Sequence, residues 1–354
     1  MFLKKTLPWN PILLFISVAG SLIAAEFILR LVYPSPRQNQ VLCLEYRHSW
    51  IFNKEGFRDE EFDQKLKTRQ ENIILLGDSF VVGLGAERQK TFAFLLSKKM
   101  ESRFEVFNLG KCDTGTIEQS RILSHYIDRI KPKMVVLFFY GNDIEDNFKE
   151  SVESNGRRLE AKRLANQKHL IGLLEPIKPF FEKSMLYQVS RVYYRTLLYK
   201  FGISKMDYAL EFELFKKGPA SPEAEEAWQY TYQALSNIQS LCQAKSASLH
   251  VIYLPLKGQI IHWENVIRFY KADPQQYDRF QIDEKLKNFC DDRHIDFFDL
   301  AHEFDKMPLK ESFYYNFDKH LTVAGNQEVY TIIYPYLEDH LKSSSSVKKL
   351  QTDV

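Results

Sequence analysis

The chain has 354 residues, of which 45% are hydrophobic and 14% aromatic, and its formal net charge is +2. This length and composition suffice for one large α/β domain with a well-filled core, or for two smaller domains. The nearly neutral charge excludes a general electrostatic affinity for nucleic acid, and no fixed-period repeat is visible.

The N-terminal 33 residues are the exception in composition. Two lysines precede a long apolar stretch, residues 12–32, which contains only Glu26 and Arg30 as charged residues. A membrane-spanning helix needs roughly 20 apolar residues, and this stretch supplies them if Glu26 and Arg30 pair on one helix face or reach the interface. We therefore expect an uncleaved membrane anchor over 1–33, with the remainder of the chain outside the cytoplasm. The alternative is a secretory signal peptide, although its cleavage site is poor.

The remainder of the chain begins with a stalk and lead-in segment over 34–70 and then alternates between apolar runs and amphipathic stretches. The predicted strands are 72–76, 105–109, 133–140, 249–254 and 295–300. The predicted helices are 91–100, 117–130, 224–244, 282–291 and 322–341. Such repeated strand and helix units predict a parallel sheet between layers of helices, joined by right-handed crossovers. The last residues, 343–354, are expected to form a disordered tail.

The alternation is interrupted over 144–222, where a basic stretch gives way to an aromatic one. The aromatic residues are Phe180, Phe181, Tyr187, Tyr193, Tyr194 and Tyr199. Because this insertion begins directly after the third strand, it could fold over the functional site as a lid or acceptor-binding cap. The alternative is that the aromatic side chains pack the insertion onto the main domain.

The four cysteines, in a chain of this size, do not form a disulfide framework. Cys242 and Cys290 each close a predicted helix just before a strand, so they are candidate neighbours. The sequence favours two buried thiols over a disulfide, because free cysteine is often buried.

Polar residues follow four of the predicted strands. Ser79 stands in a Gly-Asp-Ser corner after the first strand, Gly110 ends the second, and Asn142 follows the third. Asp318 and His320 come just beyond the last strand. Since the carboxyl ends of parallel strands meet at one edge of a sheet, we expect these residues to converge there.

These four blocks resemble the signature blocks of the GDSL, or SGNH, hydrolase superfamily over about residues 70–340. The resemblance implies a three-layer α/β/α sandwich with a flavodoxin-like, five-stranded parallel sheet over 71–342. One spacing differs, because only Lys319 separates Asp318 from His320, where many members have two residues. That spacing is similar to membrane-anchored bacterial members and polysaccharide O-acetyltransferases.

A serine hydroxyl needs a base, a group that orients the base, and donors for the developing oxyanion. Ser79 is the candidate nucleophile, His320 the base and Asp318 the orienting acid. The resemblance implies an oxyanion hole made by the backbone amides of Ser79 and Gly110 and the side-chain amide of Asn142. Asp78 is expected to brace the corner through backbone hydrogen bonds.

The expected function is hydrolysis of an acyl ester, with an acylated carbohydrate or lipid as substrate. One alternative is an O-acyltransferase that moves an acetyl or acyl group to an extracytoplasmic glycan, and another is an inactive binding module on the same fold. No cofactor or metal is expected. His294 and His302 lie near Asp291, Asp292 and Asp299 in the sequence, but no zinc-type spacing is present. The sequence leaves the oligomeric state open.

Overall fold

The structure is a computed structural model that describes residues 11–32, 40–43, 48–68, 70–154, 184, 186–187, 190, 209–315 and 319–352. The chain divides into two compact units. Residues 1–49 and 160–206 form the first unit, and residues 50–159 and 207–354 form the second.

The first unit contains helix α1 (Pro11–Val32), and strands β1 (Gln40–Cys43) and β2 (His48–Ile51) pair in a two-stranded sheet. The predicted pairing on α1 is present, with Arg30 2.7 Å from Glu26. The Glu26 carboxylate also accepts hydrogen bonds from the Ser184 hydroxyl and the Leu186 amide, both at 2.8 Å. Among the described residues, no helix has both the length and the apolar character needed to cross a membrane.

The second unit is built on a parallel sheet of five strands. They are β3 (Glu71–Gly77), β4 (Phe104–Gly110), β5 (Pro132–Tyr140), β6 (Ser248–Leu254) and β7 (Asp296–Asp299). Their order across the sheet is β4-β3-β5-β6-β7, which is the flavodoxin-like order. The prediction of a flavodoxin-like α/β fold is therefore confirmed.

The helices of this unit connect the strands and flank the sheet. They are α2 (Phe62–Lys65), α3 (Ser79–Val82), α4 (Phe92–Met100), α5 (Thr116–Ile130), α6 (Asn142–Ser154), α7 (Ala209–Glu213), α8 (Pro222–Ala244), α9 (Lys257–Ile260), α10 (Trp263–Tyr270), α11 (Gln281–Asp292), α12 (Leu300–Asp305) and α13 (Val323–Thr352).

The strand order determines which helices share a face of the sheet. The connection from β3 to β4 moves across the sheet toward the β4 edge. The connections from β4 to β5, from β5 to β6 and from β6 to β7 all move toward the β7 edge. Right-handed crossovers then place α4 on one face and α5, α8 and α11 on the opposite face. The contacts agree, since α4 packs on α13 while α8 packs on α5 and α6. The sheet therefore has a helix layer on each side.

The apolar strands form the core because both faces of the sheet are covered. Every residue of β5 from Met134 to Tyr140 is buried, as expected for a central parallel strand. Strand order reverses between β3 and β5, and in open α/β sheets the ligand crevice lies at the carboxyl ends of the strands at this reversal. Ser79 and Asn142 follow these two strands directly, so the fold places them at that edge.

Several segments differ from the predictions or lie outside the described residues. Helix α6 continues the main body to Ser154, so the regular structure extends into the predicted insertion 144–222. Of the six aromatic residues named in the insertion, only Tyr187 is described. Helix α13 runs to Thr352, so residues 343–352 are helical where a disordered tail was predicted. Lys348, Lys349, Leu350 and Gln351 are good helix formers, and no proline or glycine interrupts residues 343–352.

The cysteines of the second unit are unpaired. Cys112, Cys242 and Cys290 are free, and the last two are buried. Burial raises the pKa of both the Cys242 and the Cys290 thiol to about 12. The prediction of two buried thiols is therefore confirmed.

Candidate active site

The Ser79 corner is formed by a glycine and a capping aspartate. A Cβ atom on Gly77 would lie 2.8 Å from the carbonyl oxygen of Phe138 on the neighbouring strand, so only glycine fits where β3 ends. Asp78 then caps α3, because its Oδ1 accepts a hydrogen bond from the Phe80 amide at 2.9 Å. Ser79 is the first residue of this helix and is 8% exposed. The predicted bracing role of Asp78 is confirmed.

His320 reaches the serine from the far end of the chain. Its Nε2 atom lies 2.9 Å from Ser79 Oγ, which is within the range required of a base that removes a hydroxyl proton. The Phe80 ring packs beside the imidazole, with ring centroids 5.3 Å apart. Ser79 and His320 are 241 residues apart in the sequence, and the fold brings them together as the sequence predicts.

A short hairpin holds His320 in this position. Tyr314 and Leu321 form an antiparallel bridge, and the Tyr315 amide donates to the His320 carbonyl at 3.0 Å. The Tyr314 hydroxyl donates to the Pro255 carbonyl at 2.7 Å, and the Tyr315 hydroxyl donates to the Gly85 carbonyl at 2.6 Å. The hairpin is therefore bonded both to the segment after β6 and to the loop that follows Ser79.

Asp318, the predicted orienting acid, lies outside the described residues. Its role stays a prediction. Lys319, which follows it, is described, and its ammonium group lies 5.2 Å from the centre of the Tyr140 ring.

Asn142 opens α6 beside the serine corner. Its side-chain Nδ2 donates one hydrogen bond to Asp146 Oδ2 at 2.9 Å, one helical turn further on. An amide nitrogen carries two hydrogens, so a second donor is left for a substrate oxygen. The Asn142 Oδ1 atom is buried and accepts no hydrogen bond from the described residues. Asp146 therefore orients the amide for which the family resemblance implies an oxyanion role.

The backbone amide of Gly110 has a different partner. It donates to the side-chain Oδ1 of Asn108 at 2.8 Å, while Asn108 Nδ2 donates to the Val81 carbonyl at 2.9 Å. A Cβ atom on Gly110 would lie 2.7 Å from the Val82 amide nitrogen, so this strand end packs closely on α3. The oxyanion role predicted for Gly110 requires the Asn108 side chain to rotate away, and that role stays a prediction.

Two buried carboxyl groups lie beneath the site. Burial raises the pKa of Asp78 to about 6, although the Phe80 amide and the charges of Lys319 and His320 act in the opposite direction. Burial and the nearby Asp78 charge raise the pKa of Asp143 well above its ordinary value. Asp143 accepts hydrogen bonds from Gln119 Nε2, at 3.4 and 3.3 Å. Asp78 thus braces the corner, whereas Asp143 links α6 to α5 through Gln119.

The segment 53–59, which precedes β3, makes contacts with the serine helix that the sequence did not indicate. Arg58 is 3% exposed, and its guanidinium donates to the carbonyls of Val82, Gly83 and Ala86, at 3.1, 2.5 and 2.8 Å. These carbonyls belong to the C-terminal end of α3 and the turn after it. Arg58 therefore fixes the helix that carries the serine.

The adjacent Asp59 links the same segment to β4. Its Oδ2 accepts from the Asn108 amide at 3.0 Å and from Lys65 Nζ at 2.8 Å. In the sequence, this segment shows only a glycine, Gly56, between charged residues. The contacts of Arg58 reach groups at least 24 residues away in the sequence, so no periodic sequence pattern predicts them.

Among the residues that the structure describes, Ser79 Oγ is hydrogen-bonded to no histidine besides His320. His302 stands three residues after Asp299, but its Nδ1 lies 2.5 Å from Asp299 Oδ2 and 3.5 Å from Asp283 Oδ2. Within the described part of the chain, two groups of side chains could hold a metal ion. One is Asp283, Asp299 and His302, and the other is His250, Asp296 and His340. Neither group contains a residue of the Ser79 site.

The profile of the GDSL-like Lipase/Acylhydrolase family matches residues 75–328, which is more than half of the chain. Among curated proteins, none matches the sequence.

Several solved structures are similar at low identity. TesA is 11% identical, with 76% of this chain and 99% of that chain covered and a TM-score of 0.43. The psychrotrophic esterase EstA from Pseudoalteromonas sp. is 10% identical, with 77% and 100% covered and a TM-score of 0.42. The acetyl xylan esterase AlAXEase is 14% identical, with 75% and 98% covered and a TM-score of 0.38.

Proposed function

The chain belongs to the GDSL-like lipase/acylhydrolase family, and from this we propose that it hydrolyses carboxylic esters with Ser79 as nucleophile and His320 as base. The single observation that carries the proposal is the 2.9 Å separation of Ser79 Oγ and His320 Nε2. This distance permits direct transfer of the hydroxyl proton to the imidazole.

Acylation begins when Ser79 Oγ attacks the ester carbonyl carbon and His320 Nε2 accepts the hydroxyl proton. The carbonyl π bond breaks and its oxygen becomes the oxyanion of a tetrahedral intermediate. Collapse of the intermediate breaks the bond to the alcohol oxygen, and His320 returns the proton to this leaving group. The product of the first half-reaction is an acyl-Ser79 ester and a free alcohol.

Deacylation repeats these steps with water as the nucleophile. His320 removes a proton from water, the resulting hydroxide attacks the acyl carbon, and the proton passes to Ser79 Oγ as the acid departs. In our proposal Asp318 orients the imidazole during both half-reactions. The site is then restored to its starting protonation state.

The oxyanion is stabilised by donors at the edge of the sheet. The Ser79 backbone amide makes no hydrogen bond to any of the described residues. Asn142 Nδ2 uses one of its two hydrogens to bond Asp146, so the second can bond the oxyanion. The Gly110 amide joins them if Asn108 rotates when substrate binds. One such donor is typically worth about 3 kcal/mol of transition-state stabilisation.

We propose acylated carbohydrates or lipids as the substrate class, and the acyl chain is the first unknown to measure. The experiment compares nitrophenyl esters of increasing chain length, from acetate upward, on the wild-type protein and on Ser79→Ala. Wild-type protein should release nitrophenol and free acid in equal amounts, and Ser79→Ala should lose nearly all turnover. Equal activity in the two proteins would refute the proposal.

A further inference from the structure

A second cluster of titratable side chains lies at the carboxyl end of the edge strand β7 and shares no residue with the Ser79 site. Asp283 comes from α11, Asp299 from the end of β7, and His302 from the first turn of α12. One atom from each side chain lies within 4.8 Å of the others. The imidazole Nδ1 is 3.5 Å from Asp283 Oδ2 and 2.5 Å from Asp299 Oδ2. Three consecutive elements thus direct potential ligand atoms at one point.

Asp283 is the unusual member of this cluster. Its side chain is 0% exposed, and its Oδ1 accepts a hydrogen bond from Gln259 Nε2 at 3.2 Å. The Gln259 amide is itself fixed, because its Oε1 accepts from the Tyr253 hydroxyl at 2.8 Å. Asp283 Oδ2, by contrast, is buried and receives no hydrogen bond from the described residues. A buried carboxylate oxygen without a donor is costly, so its position calls for a positive partner.

No lysine or arginine of the described chain supplies that charge. The salt bridges of Asp283 and Asp299 are both with His302 alone. Asp299 Oδ1 is occupied as the cap of α12, where it accepts from the amides of Ala301 and His302, at 2.8 and 3.4 Å. Its Oδ2 remains directed at the cluster. Two carboxylates therefore face one imidazole without a fixed cation between them.

We propose that Asp283, Asp299 and His302 bind one divalent transition-metal ion, with Zn²⁺ as the reference ion. One imidazole nitrogen and two carboxylate oxygens form a donor set that suits zinc, whereas Mg²⁺ and Ca²⁺ prefer oxygen ligands alone. Three protein ligands leave a fourth position for water, and His302 is 50% exposed, so the site opens toward solvent.

The geometry needs only a small adjustment. Zinc ligands at about 2.0–2.2 Å from the metal are separated from one another by roughly 3.3 Å in a tetrahedron. The 3.5 Å separation of His302 Nδ1 and Asp283 Oδ2 already fits. The shorter contact to Asp299 must open by about 1 Å, which the exposed imidazole can do by sliding along the Phe280 ring, on which it stacks at 4.2 Å.

The competing occupant of this point is a proton. Burial and the charge of Asp299 raise the pKa of Asp283 to about 9, so a protonated Asp283 could donate to Asp299 instead. The two occupants are distinguishable, because a shared proton needs no metal and leaves nothing to titrate with zinc.

The experiment measures metal binding by the full-length protein after removal of metals with a chelator. Calorimetric titration with ZnCl₂, together with elemental analysis after desalting, gives affinity and stoichiometry. Asp283→Asn and His302→Gln remove one ligand each while keeping side-chain size. Asp291→Asn is the matched control, since Asp291 lies on the same helix but is 55% exposed and pairs with Lys287.

We expect one zinc ion per chain for the wild-type protein and for Asp291→Asn. Each ligand variant should bind at least about 100-fold more weakly, because loss of even an indirect partner costs 10–100-fold. Mg²⁺ and Ca²⁺ should not compete with zinc. Zinc should raise the unfolding temperature of the wild-type protein and of Asp291→Asn, but not that of the ligand variants. Absence of saturable zinc binding to the wild-type protein, or unchanged binding in both ligand variants, would overturn the proposal. A wild-type protein that binds no zinc refutes the proposal even if a variant fails to fold, whereas the two ligand variants assign a bound ion to this group rather than to His250, Asp296 and His340.

Discussion

Removing the Asp146 carboxylate should slow catalysis through Asn142, although Asp146 makes no contact with Ser79 in the structure. The Asn142 Nδ2 to Asp146 Oδ2 hydrogen bond is 2.9 Å long and directs the amide from one helical turn away. A charge-assisted hydrogen bond of this type is worth roughly 1.5–3 kcal/mol. Losing the Asn142 donor altogether should cost about 3 kcal/mol, which is the upper limit for any effect that acts through it.

We therefore expect Asp146→Ala to lower kcat by roughly 10–30-fold, equivalent to about 1.4–2 kcal/mol. The KM should change little, since the amide acts mainly on the transition state. Asp146→Asn keeps an oxygen acceptor at the same position and should restore most of the activity. Lys149→Ala is the matched control, because Lys149 lies 3.7 Å from Asp146 but is 57% exposed.

A double-mutant cycle provides the decisive assay. In an Asn142→Ala background the Asp146 carboxylate has no amide to orient, so adding Asp146→Ala should change kcat by less than about threefold. Initial rates with a nitrophenyl ester give all four values. If the two substitutions were instead fully additive, Asp146 would act on catalysis by another route and our reasoning would be wrong.

Two further predictions concern the scaffold. Arg58→Ala should lower the free energy of unfolding by roughly 3–5 kcal/mol in urea titrations, because three carbonyls of the serine segment lose a buried charged donor. The control is Arg129→Ala, which removes a 37% exposed side chain from an ion pair and should cost less than about 1 kcal/mol. Equal losses in the two variants would contradict this role for Arg58. Burial lowers the pKa of His250, which lies beside Asp296 and His340, from 6.5 to about 4. As the pH falls, the imidazole of the unfolded chain therefore binds a proton before that of the folded chain, and the free energy of unfolding should decrease between pH 6.5 and pH 4. Unfolding measured at several pH values should give a shallower slope for His250→Gln, and an unchanged slope would exclude His250 as its source.

Much of the fold could be predicted from the sequence because its signals are local. The apolar run of β5 is continuous, and α5 carries its buried residues on one face. These local patterns predict both the type of each element and the face that it buries. Ser79 and Asn142 could be placed together because each directly follows a strand, and parallel strands end at the same edge of the sheet. His320 lies beyond α12, so its approach to Ser79 also depends on the bonds of Tyr314 and Tyr315.

The remainder depended on contacts that have no sequence spacing. Arg58 bonds to carbonyl oxygens, which every residue type carries, so no motif marks its partners. The Gly110 amide is bonded to Asn108 because the Asn108 side chain folds back along its own strand, a rotamer choice that the sequence does not display. Asp283 meets His302 only after α11 and α12 pack beside β7. Tertiary packing, rather than local propensity, determines each of these groupings.

The most direct test of the central claim is labelling of the full-length protein with a serine-directed phosphonate, read by intact mass and peptide mapping. We predict one adduct per chain, on Ser79 Oγ, and no adduct on Ser79→Ala. His320→Ala should fold but react far more slowly, because the imidazole that lies 2.9 Å from the hydroxyl is gone. Equal labelling of Ser79→Ala, or a wild-type protein that never reacts, would contradict the assignment of Ser79 as an activated nucleophile.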